Sequence, residues 1–182
     1  AWTYNPNTNR EYDFLPPQHW EAAQTAAAAM SPAAHLVTIN DGVEMQYVMD
    51  LYASAFPGVT SPFLWIGIKN QVTPITGPWQ WAEGSGAGGS FTKGTGGDSY
   101  TNWNGAEPNS DGPYTMVYLS SPRTGEWNDV PGDRDYRPVV ERDAEVPAWV
   151  LNPENGQVYT VIANTVHGNS WTNAESLAQR WG

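Results

Sequence analysis

Two short stretches, Glu107-Pro108-Asn109 and Trp127-Asn128-Asp129-Val130-Pro131, decide how this 182-residue chain is read. Between them lies Met116-Val117-Tyr118-Leu119, an apolar run of strand length. A strand pairing there could bring the two polar stretches together. Glu107 and Asp129 offer carboxylates, and Asn109 and Asn128 offer amides. These are the hard oxygen donors from which loops assemble the roughly six to eight ligands of a calcium ion. The same residues could instead serve the backbone, with Glu107 and Asn109 capping a polar turn and Asn128 and Asp129 forming an Asx turn. Trp127 reads as core, because a large aromatic on a strand buries its ring.

The flanking sequence supplies the frame. Residues 4–16 carry Tyr12, Phe14 and Leu15 among turn formers, the pattern of one or two short strands. Gln18 to Met30 is helical by propensity, with Trp20, Ala23, Ala27 and Met30 on one face and Ser31-Pro32 as a stop. His35-Leu36-Val37-Thr38-Ile39 reads as a short buried strand. Asn40 or Asp41 then caps a second helix, running to about Ala55 with Met45, Val48 and Leu51 inward. Phe63-Leu64-Trp65-Ile66-Gly67-Ile68 is a further strand, and Met116–Leu119, Gly125–Asn128 and Arg137–Glu141 read as closing strands. Two early helices and a strand-rich second half predict an α+β fold. Gly84 to Pro113 is long, polar and Gly-rich, and a loop of this length inside a compact domain is commonly functional or disordered.

Composition narrows the chemistry. Eight basic residues against nineteen acidic ones give a net charge of −11, which disfavours a nucleic-acid or anionic-membrane partner. The chain contains no Cys, so disulfides, thiolate metal sites and cysteine nucleophiles are excluded. No apolar run reaches the ~18 residues of a membrane span, so no membrane insertion is expected.

Beyond Asp143 the sequence repeats itself. Asn5-Pro6 and Tyr12 recur as Asn152-Pro153 and Tyr159, and Trp20, Ala23 and Ala27 recur as Trp171, Ala174 and Ala178. Residues 1–143 therefore read as one domain, and 144–182 as a linker and the truncated start of a second, similar one. The apolar face of the tail helix needs cover, so residues 148–182 are expected to dock on the first domain or to support self-association.

Four pieces now stand in order: Trp65-Ile66-Gly67-Ile68; Trp79-Gln80-Trp81-Ala82-Glu83-Gly84; Tyr100-Thr101-Asn102-Trp103 with Glu107-Pro108-Asn109; and Trp127-Asn128-Asp129-Val130-Pro131. With the Trp20 helix and His35–Ile39, this series resembles the C-type lectin-like domain over residues 4–143. The resemblance implies two helices packed on antiparallel sheets with a long ligand-binding loop. It implies that Glu107, Asn109, Asn128 and Asp129 hold Ca2+ and bind a carbohydrate through two vicinal hydroxyls, with a cis bond before Pro108. Asp111 stands in for a further acidic ligand that sugar-binding members carry slightly later, and Tyr114 is a candidate to stack on the sugar. Glu before Asn implies a mannose, fucose or glucose preference over galactose.

Two departures accompany the match. Gly132 and Val140 stand where two of the family's cysteines are expected, and Gly84 to Ser99 is a Gly-rich insertion in the loop. The resulting expectation is a calcium-dependent glycan-binding module of a secreted or cell-surface protein, with no catalytic residues. The rival expectation is a lectin-like module for protein adhesion or ice binding that takes no sugar.

Overall fold

The computed structural model describes residues 1–30, 34–59, 63–70, 78–82, 90–91, 100–144, 150–151 and 158–159. A hairpin of β1 (Thr3–Asn5) and β2 (Arg10–Phe14) opens the chain. Helix α1 (Trp20–Ala28), β3 (His35–Leu36) and helix α2 (Gly42–Ala55) follow. Next come β4 (Phe63–Asn70), β5 (Trp79–Trp81) and β6 (Ser90–Phe91). Strands β7 (Tyr114–Tyr118), β8 (Trp127–Val130) and β9 (Arg137–Asp143) complete the domain. A second hairpin, β10 (Val150–Leu151) with β11 (Val158–Tyr159), forms a two-stranded sheet of its own. The Gly84–Ser99 insertion outside β6, and the helix expected around Trp171, lie outside the described residues. No helix among the described residues is long and apolar enough to cross a membrane.

The α+β expectation is met, with one refinement. Strand β2 runs antiparallel to β9, from Arg10 opposite Asp143 to Phe14 opposite Val139, and so closes the two ends of the domain on each other. Strand β4 is antiparallel to β5 and β7, and β8 extends that layer from β7. The two layers join through a parallel contact of β4 with β9, Leu64 to Arg137 and Trp65 to Pro138. Where a five-residue strand was expected from His35, the ladder stops after Leu36. Val37 instead donates to the Val139 carbonyl at 3.0 Å and accepts from Gly67 at 2.9 Å, so this segment bridges β9 and β4. Gly67 is required by that approach, since a Cβ there would lie 2.6 Å from the Leu36 carbonyl oxygen.

Apolar residues pack on both faces. One cluster gathers Met45, Val48 and Tyr52 of α2 with Val37, Ile39, Ile66, Ile68, Trp79, Trp81 and Trp127. The other gathers Trp20, Ala23 and Ala27 of α1 with Leu36, Trp65, Met116 and Val140. The Trp20 indole N–H donates to the Ile66 carbonyl and the Trp65 indole N–H to the Gln18 carbonyl, each at 2.9 Å, which lock α1 onto β4. Both buried indoles thus satisfy their polar atom. Of the two positions that lack the expected cysteines, Val140 is fully buried. At Gly132 a Cβ would meet the Tyr114 ring at 2.4 Å. Ring packing occupies the space that a crosslink would have needed.

A polar network sits inside this core. Asp41 caps α2 by accepting the Glu44 N–H at 2.8 Å. The Glu44 carboxylate, buried, accepts the Tyr12 hydroxyl at 2.5 Å and the Asn40 N–H at 2.7 Å. Nearby, Glu141 of β9 accepts the Thr38 N–H at 2.6 Å and stands 3.7 Å from His35 Nδ1. Burial pushes the Glu141 carboxyl up to about 8, and the charge of Glu44 adds to it, against the opposing pull of the Thr38 hydrogen bond and of Arg10. Burial first, then the two carboxylates, also raises the Tyr12 hydroxyl. Between its ordinary value of 4.5 and about 8, Glu141 is protonated in the fold and ionised in the unfolded chain. Its contribution to stability is therefore complete at the acid end of that window and is lost as pH rises through it, by up to about 1.4 kcal/mol per pH unit. Thermal unfolding followed from pH 5 to pH 9 should show Tm falling with pH. Glu141→Gln should flatten that profile and raise Tm at pH 8; a variant with an unchanged profile would assign the pH dependence elsewhere.

Candidate functional site

The site is assembled where the long loop returns to the sheet. Segment 102–104 lies alongside the start of β8. Trp127 N–H donates to the Asn102 carbonyl at 2.8 Å, and Asn104 N–H donates to the Trp127 carbonyl at 2.9 Å. The Asn102 side-chain amide reaches the Gly125 carbonyl at 2.8 Å, and that of Asn104 bonds the Glu126 carboxylate. The Trp103 ring packs between Trp79 and Trp127, so it props the loop from beneath. Thus anchored, the chain turns through the cis Glu107–Pro108 bond and a left-handed Ser110, φ +77°.

Asp129 holds this turn. Its carboxylate is fully buried and accepts the Asn109 N–H at 2.8 Å and the Gly112 N–H at 3.4 Å. The Asn109 side-chain oxygen accepts the Asp111 N–H at 2.9 Å, which closes an Asx turn at the tip. Gly112 lies flat on the end of β8, where a Cβ would come within 1.9 Å of the Val130 carbonyl carbon. The loop therefore rests on β8 with no room for a side chain between. Glu107 is buried at the base of the turn, at 9% exposure.

Period-two alternation separates the remaining candidates. On the β7–β8 pair, Asp129 stands opposite Thr115, while Asn128 stands opposite Met116 on the other face. The Asn128 amide donates to the Tyr118 hydroxyl at 3.2 Å, and Asn128 Oδ1 is buried with no hydrogen-bond partner among the described residues. Arg123 donates to the same hydroxyl at 3.1 Å. Tyr114 shares the Asn128 face. Its ring lies against Trp20 at 4.8 Å between centroids, and its hydroxyl donates to Glu21 at 2.8 Å. Burial and the Glu21 bond push that hydroxyl up to about 12. The structure thus brings Asn109, Asp111 and Asp129 into one hydrogen-bonded loop with Glu107 in the same turn, and turns Asn128 toward Tyr118 and Tyr114 toward α1. Among the described residues no three His, Cys, Asp or Glu side chains converge as a ready metal cluster.

No protein-family model and no curated protein matches the chain. Solved structures do. The C-type lectin CEL-I from Cucumaria echinata matches with a TM-score of 0.59 at 21% identity, over 77% of this chain and 93% of that one. The C-type carbohydrate-recognition domain of cow CD23, solved in the presence of an oligosaccharide, matches with a TM-score of 0.56 at 23% identity, over 80% and 95%. The chain has the C-type lectin-like fold. A calcium-independent type II antifreeze protein matches as well, with a TM-score of 0.55 at 20% identity, over 79% and 92%. At these identities the likeness is one of fold, and the C-type lectin-like fold carries more than one kind of site.

The buried network of Tyr12, Glu44 and Glu141 was not found by sequence reasoning. One signal was present. Asp41 followed three residues later by Glu44 is the spacing of a capping box, and it marks Glu44 as an inward-reaching acid. Asp129 was singled out as a metal ligand, whereas its described partners are the two loop amides. Charge-assisted hydrogen bonds are worth about 1.5–3 kcal/mol each. In metal-free buffer, Asp129→Ala should therefore lower stability by about 3 kcal/mol. Hydrogen exchange at the Asn109 and Gly112 amides should accelerate at the same time. Continued protection of those amides in the variant would show that something else holds the turn.

Proposed function

We propose that this domain is a calcium-dependent carbohydrate-binding module of a secreted or cell-surface protein, with a preference of the mannose, fucose or glucose type. The observation that supports the reading is the turn laid on β8, in which the Asp129 carboxylate accepts the Asn109 and Gly112 N–H groups and Glu107 lies buried two residues before Asn109. The donors suit a hard cation. Each Asp129 oxygen accepts one N–H and keeps a further lone pair. Asn128 carries an unmet buried acceptor on the adjoining residue, and joins the set by turning its amide away from Tyr118. Asp111, exposed at the tip, is the fifth candidate ligand. The bound ion would supply an electrophilic centre for two vicinal hydroxyls. Around it, Glu107 and Asp129 accept hydroxyl protons while the Asn109 and Asn128 amide N–H groups donate, which fixes the hydroxyl geometry. Tyr114 is left out of the proposed contact, since its ring and hydroxyl are engaged by Trp20 and Glu21. The module is proposed to bind rather than to catalyse.

A second reading has its own support. Asp129 is already satisfied by the loop and Asn128 faces Tyr118, an arrangement that suits a calcium-independent module for protein or ice. Calorimetric titration with calcium separates the two. Under the first reading one ion binds, and Asp129→Ala weakens it about tenfold or more, equivalent to about 1.4 kcal/mol. A glycan array should then show binding that chelator abolishes. Absence of calcium binding to the parent chain would favour the second reading.

Hydroxyl geometry gives a further expectation. The double change Glu107→Gln with Asn109→Asp should move array preference from mannose-type toward galactose-type sugars. A parent domain that already prefers galactose would overturn the assignment of donors and acceptors.

A further inference from the structure

The face of β7 and β8 that turns toward α2 carries an apolar pair and then a polar one. Val117 stands opposite Trp127, and Thr115 opposite Asp129. Alternation along each strand puts these four on one side of the sheet. Val117 and Trp127 pack in the cluster that contains Met45, Val48 and Tyr52 of α2. Thr115 and Asp129 are each at 0% exposure. The Thr115 hydroxyl is buried with no hydrogen-bond partner among the described residues. Directly opposed residues hold their Cβ atoms about 4.5–5.5 Å apart. The orphaned hydroxyl therefore lies beside the carboxylate that holds the turn, whose oxygens accept one N–H each, at 2.8 and 3.4 Å.

Packing alone does not call for a threonine here. Valine has the same branched shape and would continue the Val117–Trp127 pair without a polar atom. Burying a hydroxyl unpaired forfeits its hydration, and replacing it by an apolar group of the same shape is then neutral or stabilising. The hydroxyl is explained by a partner that arrives after folding. A neutral oxygen and a carboxylate held side by side are the donor chemistry of a hard cation.

We infer that the Thr115 hydroxyl is a further oxygen donor of the ion site, supplied by the strand opposite Asp129. The inference rests on the calcium reading above and adds to it a neutral ligand that does not come from the turn. A hydroxyl carries two lone pairs and one proton, so it can face the ion with one lone pair while its proton goes to Asp129. Each Asp129 oxygen keeps a lone pair to receive that proton. A donor on a paired strand is also held more firmly than one at the exposed tip, where Asp111 lies.

The test uses the full 182-residue chain and three single variants, each by calcium calorimetry and by melting with chelator and with calcium. Thr115→Val, metal-free, should melt within about 3 °C of the parent or above it, yet bind calcium about tenfold more weakly or worse. Thr115→Ser keeps the oxygen and should bind within about threefold of the parent. Thr115→Asp sets two carboxylates opposite one another, so its metal-free Tm should fall, and calcium should raise its Tm by more than it raises the parent's. Calcium affinity unchanged in Thr115→Val would overturn the inference and leave the calcium reading standing. A metal-free Tm of Thr115→Val more than about 3 °C below the parent would overturn it too, because the hydroxyl then has its partner within the fold. So would a calcium-induced rise in Thr115→Asp no larger than the parent's. A parent chain that binds no calcium would overturn the calcium reading and this inference together.

Discussion

Two parallel residue pairs, Leu64 with Arg137 and Trp65 with Pro138, hold the terminal sheet to the sheet that carries the loop. So short a seam, with a proline on one side, cannot stand on its own ladder bonds. It stands because β4 is pinned from both faces. From one side the Trp20 indole grips the Ile66 carbonyl and the Trp65 indole grips Gln18. From the other, Gly67 admits the Leu36–Val37 backbone to a distance that any side chain would forbid. Displacing β4 would move β7 and β8 with it, and the Glu107–Gly112 turn rests on β8. The candidate site is therefore positioned by a tryptophan-and-glycine brace far from its own residues.

Two buried acids show how environment sets the use of one functional group. Asp129 points at backbone N–H groups of a loop that would otherwise have no structure to follow, and it organises that loop. Glu141 points into a core that also contains Glu44 and the Tyr12 hydroxyl, and burial drives its carboxyl toward the neutral form. The first arrangement shapes a surface. The second joins β2, β9 and α2 through polar contacts, a stricter demand on geometry than apolar packing makes.

Much of this was legible in the sequence because local signals agreed with the fold. The apolar face of α1, the Asp41 cap, the apolar run of β4 and the burial of Trp127 follow from spacing and residue type. The cis Glu107–Pro108 bond accords with the resemblance. Other features depend on partners distant in sequence. The strand expected at His35–Ile39 shrank to two residues because the Val37 carbonyl accepts from Gly67 of β4 and the Thr38 N–H donates to the Glu141 side chain. Adjacent letters in Asn128-Asp129 suggest a shared role, yet consecutive strand residues face opposite ways, and register against β7 sends Asn128 to Tyr118. Tyr114 was read as a candidate to stack on a sugar, and the small residue at Gly132 is what lets its ring settle inward against Trp20.

The pairing of β2 with β9 has a consequence for how the chain is made. Its two strands lie almost a whole domain apart, so on the ribosome the first hairpin waits until β9 emerges, and contacts of such long range fold slowly. The edge chemistry secures the pairing: Arg10 pairs with Asp143 at 2.7 Å and Glu11 with Arg142 at 2.8 Å. A wrong partner for β9 would leave Arg142 without its carboxylate, and a buried guanidinium left so is a penalty against mispairing. Ion pairs that look like ordinary surface stabilisation thus act as an address, directing the closing strand β9 back to β2.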